Sequence, residues 1–190
     1  ANHIDWMIDD VKLLMKGTDL FRRDYDHTTG KFTEDRKIKA CKNIILCGLH
    51  TFYCPEDMFT LKIFMDTDND LRTQWKISRD TNKRGYSPNK VKEEIARRRK
   101  DYTKYLQPHI ERSDIIVNFC NEKGTEYIDS VKGIGRGLRL FIKEIHDVTA
   151  IVKKFNNLGV RTELPTSSRE GYVQLNIENY KPVDKNYYYD

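Results

Sequence analysis

One stretch of this chain concentrates side chains that could handle phosphate. Arg72, Lys76, Arg79 and Lys83 recur at spacings of four, three and four, which puts them on one face of a helix. Asp80 sits among them and Arg84 closes the row. Cations arranged round one carboxylate can hold a polyphosphate and help position a metal or a substrate hydroxyl. The same spacing describes a solvated basic face equally well. The charge is local: residues 72 to 112 hold 13 Lys/Arg against 5 Asp/Glu, a net of +8. The whole chain carries +5, which leaves −3 for the rest. Such a segment points to anionic ligands: nucleotide phosphates, a sugar phosphate or nucleic acid.

Other candidates are weaker. His50 follows Gly48 after an apolar run and would stand where ligands of open α/β sheets bind. His27 lies in the turn-rich Tyr25-Asp26-His27-Thr28-Thr29-Gly30, where a surface histidine is the plain reading. Gly133-Ile134-Gly135-Arg136-Gly137 opens a strand, so it reads as a turn and not as a nucleotide loop. The run Arg97-Arg98-Arg99-Lys100 has no interleaved aromatics that would stack on bases. Cys41, Cys47, Cys54 and Cys120 show neither zinc spacing nor a disulfide framework, so no metal residues are assigned and a reducing cytoplasm is expected.

The elements that must position these residues follow from periodicity. Ile4, Met7, Ile8, Val11, Leu14 and Met15 form one face of a first helix, stopped by Gly17. Three short apolar runs, 43–47, 61–65 and 114–119, read as neighbouring parallel strands buried on both faces. The basic helix runs from Asp66-Thr67-Asp68 to about Lys83, ahead of Gly85. Ser87-Pro88 opens another helix, which Pro108 ends or kinks. Strands alternating with helices imply an α/β domain with a mainly parallel sheet. After residue 120 the pattern changes to strand, helix, strand, strand, read as a small α+β extension over 121–190. Hydrophobic residues make up 38% and charged residues 33%, which suits a folded domain. No apolar run approaches a membrane span, and a secretory signal is not expected.

The residues also resemble a family. Ala1-Asn2-His3-Ile4-Asp5, Tyr25 to Gly30, Gly48-Leu49-His50 with Tyr53, Trp75-Lys76-Ile77-Ser78-Arg79-Asp80, Lys83-Arg84-Gly85-Tyr86 and Ala96 to Tyr102 come in the order and spacing of phosphoribulokinases, and Gln107-Pro108 and Ser113 to Val117 continue the match. The chain is similar to the phosphoribulokinase and uridine kinase family, closer to phosphoribulokinases. The uridine kinase branch has a histidine, an arginine and a glutamine where this chain has Gly30, Tyr86 and Glu94, which speaks against uridine. The resemblance implies that 1–120 is the C-terminal portion of a P-loop kinase domain with a lid. It implies catalytic roles for Lys76, Arg79 and Asp80, and ATP phosphate binding by Arg79 and Arg84. It also implies substrate contact by Tyr25, His27 and His50, with ATP and Mg2+ as cofactors of the parent protein.

Two departures qualify it. The loop G-x-x-x-x-G-K-[ST] occurs nowhere in the 190 residues. In the family that loop and the proton-accepting carboxylate lie upstream, so an N-terminal segment of about 70 residues is expected before residue 1. Cys47 stands where the family has a magnesium-binding glutamate, and a thiol does not replace that charge at neutral pH. The leading expectation is therefore a fragment of an ATP-dependent kinase acting on a hydroxyl of a small sugar or sugar phosphate, inactive by itself. The alternative is a catalytically inactive kinase-fold module that binds or regulates. Nucleic-acid binding is the weakest reading, supported by charge alone. A homo-oligomer is compatible with the sequence, and a membrane partner is not expected.

Overall fold

Element formation differs sharply between the two compact units of the chain, residues 1–60 and 61–190. The computed structural model describes residues 3–26, 28–121, 136–164 and 169–177.

In the first unit, helix α1 (Ile4–Met15) buries Val11 and leaves Trp6 and Met15 exposed. Gly17 takes the left-handed conformation (φ 83°) that ends it. Two small antiparallel ribbons follow. Strand β1 (Leu20–Arg22) pairs with β4 (Arg36–Ile38), and β2 (Tyr25–Asp26) pairs with β3 (Lys31–Phe32). Arg22 is bonded to Asp10, which fastens the first ribbon to α1. The Asp26 carboxylate accepts from the Thr28 backbone N–H at 2.8 Å and from Thr29 Oγ1 at 2.8 Å. Those bonds hold its carboxyl below the usual range, with the Thr29 hydroxyl the larger cause.

Residues 43–47, expected as a buried strand, are not one. Ile45 is 89% exposed, and none of the described strands pairs with this run. An apolar run supplies the tendency to be buried, but a strand exists only with a hydrogen-bonding neighbour.

In the second unit, β5 (Ile63–Thr67) leads into α2 (Asn69–Arg84) and α3 (Pro88–Asp101). A wide π-type turn over Tyr102–Leu106 follows, then the short α4 (Pro108–Glu111). Strands β6 (Ile115–Asn121) and β7 (Arg136–Lys143), helix α5 (Val148–Asn157), β8 (Thr162–Glu163) and β9 (Tyr172–Ile177) complete it. The five strands form one sheet in the order β5-β6-β7-β9-β8. The class is α/β as expected, but the sheet is mixed and not mainly parallel. Only β5 and β6 run parallel, Ile63 opposite Ile115 through Thr67 opposite Phe119, and the other three pairings are antiparallel.

The division expected near residue 120 is not a division of the sheet, because β7, β9 and β8 continue it from β6. One sheet face carries Phe64, Ile116, Phe141 and Tyr172, packed with Ile110. The Tyr172 hydroxyl lies 3.1 Å from the Ile110 carbonyl and 2.8 Å from that of Ser113, so its burial is satisfied.

The helices that carry the cations are set by local rules. Leu71 is fully buried and anchors the first turn of α2. Gly85 (φ 69°) ends α2, with its N–H on the Thr81 carbonyl at 3.2 Å. Ser87 caps α3 through the Lys90 N–H, and Pro88 occupies its first position. Pro108 has no N–H, and its ring would strike the carbonyl four residues back. The turn therefore widens ahead of it, with the Gln107 N–H on the Tyr102 carbonyl at 3.0 Å.

Candidate phosphate-binding site

Asp80 is the centre of the site. It lies in the last turns of α2 and is only 1% exposed. A carboxylate removed from water requires cationic or donor partners, and both come from its own helix end. Arg79 Nε donates to Asp80 Oδ1 at 2.8 Å, and Arg84 Nη1 stands 3.4 Å from the same oxygen. The Arg79 hydrogen bond holds the Asp80 carboxyl below its usual range, against a smaller desolvation effect, with the charges of Arg79, Arg84 and Lys76 adding to it. The Asp80 carboxylate is thus ionised and occupied.

The two arginines remain half outside, with side chains 50% and 57% exposed. A guanidinium has five N–H donors in a planar fork, and the bonds to Asp80 use few of them. The result is a pair of cations aimed by a buried anion and still accessible, which is the form a phosphate clamp takes. Lys76, one turn earlier, is 24% exposed, and its Nζ lies 3.8 Å from Glu94 Oε1 on α3. Glu94 in turn forms an ion pair with Arg98, Oε1 to Nε 3.0 Å.

The cationic row expected along α2 is therefore divided. Arg72 donates to Asp66 at 2.6 Å and to the Thr67 carbonyl at 2.7 Å, and its guanidinium lies 4.5 Å over the Tyr102 ring. Those bonds tie α2 to the end of β5 and to the wide turn, so Arg72 is a structural cation. Lys76, Arg79, Asp80 and Arg84 are brought together, and Lys83 is exposed. The place of Glu94 in this set escaped the sequence reading. Its spacing of four from Arg98 signals that pair, but nothing in the sequence marks its approach to Lys76.

The expected substrate residues belong to the first unit. Tyr25 is half exposed in β2, edge-on to Phe32 at 5.6 Å between ring centres. His27 lies outside the described residues. His50 precedes a single 3-10 turn (Thr51–Tyr53), with its ring 5.9 Å from that of Tyr53. Its expected station at the end of a buried strand goes with the strand itself. Cys47 is exposed and carries a free thiol.

Asp80 holds the two guanidiniums, which stay half exposed, and Lys76 stands one turn earlier on the same helix. A divalent metal finds no such set: no group of three or more His, Cys, Asp or Glu side chains able to hold one exists among the described residues. Asp80, the one buried carboxylate here, is already held by two arginines.

A sequence profile of the phosphoribulokinase / uridine kinase family matches residues 1–126. The chain belongs to this family. Among curated relatives, the chloroplastic phosphoribulokinase of Chlamydomonas reinhardtii is 31% identical over 146 residues, 76% of this chain and 38% of the relative. The phosphoribulokinase of Synechocystis sp. is 27% identical over 119 residues, 62% of this chain and 36% of the relative. The family member described here thus spans well under half the length of these relatives. Among solved structures, phosphoribulokinase from Rhodobacter spheroides superposes with a TM-score of 0.62 at 16% identity, covering 92% of this chain and 66% of that one. At that identity the likeness concerns the fold alone.

Proposed function

We propose that this chain is the phosphate-clamping portion of an ATP-dependent kinase that phosphorylates a hydroxyl of a small sugar or sugar phosphate. The observation that carries the reading is the buried Asp80 holding Arg79 and Arg84 with half of each guanidinium exposed. Arg79 and Arg84 bind phosphate oxygens and balance the charge that develops on the transferred group. Lys76 adds a third cation. Asp80 acts by orienting the arginines, since both approach the same oxygen of its buried carboxylate. Tyr25, His27 and His50 are the proposed acceptor contacts, on the strength of the family motifs in which they stand.

ATP would supply the transferred phosphate. The glycine-rich backbone cradle and its lysine are not part of residues 1–190 and would come from elsewhere in the parent protein. No residue set described here supports a magnesium site, so no step is routed through that ion. None of the four cysteines is in a disulfide, which suits a reducing compartment, proposed as the cytoplasm. No helix among the described residues is long and apolar enough to cross a membrane.

Calorimetric titration of the 190-residue chain with inorganic tripolyphosphate tests the clamp. Binding at low salt is expected, with losses of roughly tenfold or more for Arg79→Ala and for Arg84→Ala, the scale of a charged hydrogen bond. Equal affinity in wild type and both variants would end the reading. Phosphate transfer from ATP by this chain alone is not expected, and measurable turnover would refute that part. The second reading, a kinase-fold module that binds without catalysis, is favoured by Cys47 at the family's glutamate position. It gains if tripolyphosphate binds and a chain extended by a phosphate-binding loop still transfers nothing.

A further inference from the structure

The charges on α2 and α3 form a continuous alternating series. Arg98 Nε is 3.0 Å from Glu94 Oε1, and Glu94 Oε1 is 3.8 Å from Lys76 Nζ. The Lys76 charge is felt at Asp80, which binds Arg79 and Arg84. Four cations thus share two carboxylates. The two carboxylates are not equivalent. Asp80 is sealed and accepts from arginines that keep half their surface exposed. Glu94 is 25% exposed and stands beside the least exposed of the four cations, Lys76 at 24%.

From this we propose that Glu94 restrains phosphate binding at Lys76. The carboxylate lies 3.8 Å from the ammonium, so an incoming phosphate must share Lys76 with a negative charge. The proposal rests on the reading of Lys76, Arg79 and Arg84 as a phosphate clamp, and adds the group that sets its strength.

The distances indicate how the restraint works. Arg98 forms the closer ion pair with Glu94, at 3.0 Å, whereas Lys76 at 3.8 Å is held by charge and by little directional bonding. A phosphate can therefore take Lys76 without breaking a good hydrogen bond. What it meets is the field of a carboxylate that is 25% exposed, near enough to solvent for salt to weaken it. Arg98 keeps that carboxylate on α3 whether or not Lys76 is engaged. Because α2 packs on α3, Glu94 remains near any phosphate bound at Lys76. Glu94 is thus a positioning residue for Lys76, with its effect exerted through charge.

Substitution separates this from a merely structural tie between the helices. Glu94→Gln keeps an oxygen that can accept from Arg98 and removes the charge. Glu94→Asp keeps the charge and shortens the reach. Titration of the 190-residue chain with inorganic tripolyphosphate should show Glu94→Gln binding about two- to fivefold more tightly than wild type, the scale of one partly exposed ion pair. Glu94→Asp should stay near wild type, and the gap between Gln and Glu should close as salt is raised. Melting temperature should follow neither trend. If Glu94→Gln binds equally or more weakly, while Arg79→Ala and Arg84→Ala still lose affinity, the restraint is overturned and the clamp stands. Absence of binding in both wild type and Glu94→Gln at low salt overturns clamp and restraint together. So does binding that Arg79→Ala and Arg84→Ala leave unchanged.

Discussion

Residues 1–60 and 61–190 answer the same problem, burying apolar side chains, with different success. The second unit stacks five strands into one sheet and closes Leu71, Val91, Ile116, Ile142 and Leu175 to 1% exposure or less. The first unit has two short two-stranded ribbons and leaves Trp6, Phe21, Phe32, Ile45 and Leu49 more than half exposed. A ribbon has two edges and no second layer of its own, so it is marginal in water unless something packs on it. The difference bears on function. The proposed phosphate clamp stands on a 16-residue helix with a fully buried leucine in its first turn, a base that can hold guanidiniums in register. The proposed acceptor contacts Tyr25 and His50 stand on a ribbon and a turn.

The sharpest way to break this contrast is to remove one methyl-rich side chain from each unit. Ile116→Ala should lower unfolding stability by about 2 to 5 kcal/mol, because the packed sheet face relaxes only partly round the cavity. Ile45→Ala, at a site 89% exposed, should change it by less than about 0.5 kcal/mol. Equal losses in urea titrations would mean that 43–47 is packed after all and that the first unit has its own core.

A smaller effect tests the electrostatic side. The folded-state carboxyl of Asp80 is held below its ordinary value of 3.8. The stability it contributes is therefore present above that value and is lost as pH falls through the folded value. Asp80→Asn should cost about 1 kcal/mol at pH 7, an amount limited by the half-exposed arginines. The deficit relative to wild type should shrink as the pH is lowered below about 4. Thermal melts from pH 7 to pH 3 decide it. A deficit that grows on acidification would mean the Arg79 and Arg84 contacts do not favour the ionised carboxylate.

The smallest expected effect belongs to Arg97→Ala. Arg97 is exposed on α3 and outside the alternating charge series. Stability should move by less than about 0.5 kcal/mol, and tripolyphosphate affinity far less than in Arg79→Ala. Arg98 is not suited to this control, because its bond to Glu94 connects it to Lys76. A loss in Arg97→Ala equal to that in Arg79→Ala would dissolve the distinction between clamp and basic surface.

Much of the second unit was legible from the residues. Ser87-Pro88 opens α3, and Gly85 stops α2. Each of these rests on bonds within a few residues of the named position. The apolar runs at 61–65 and 114–119 became a parallel pair, offset by two residues at the start of the first. The order of family motifs is equally a property of the chain alone, and it led to the family that the profile match shows. By itself, then, the sequence determined which segments wind into helices, which residues stop them, and which cations fall on one face of α2.

Tertiary structure decided what those pieces are for. Three of the four sheet pairings are antiparallel, and the change of composition at residue 120 marks a change of strand direction within one sheet. Residues 43–47 carry a strand pattern and pair with none of the described strands. Arg72 and Arg79 look alike in the periodic row, yet one is bound under Tyr102 and the other half exposed. Glu94 meets Lys76 only because α3 packs on α2. The reason is common to all four. Helix caps and faces depend on interactions a few residues apart, whereas strand partners and ion pairs between elements depend on which distant segments are brought near, and neighbouring residues do not encode that distance.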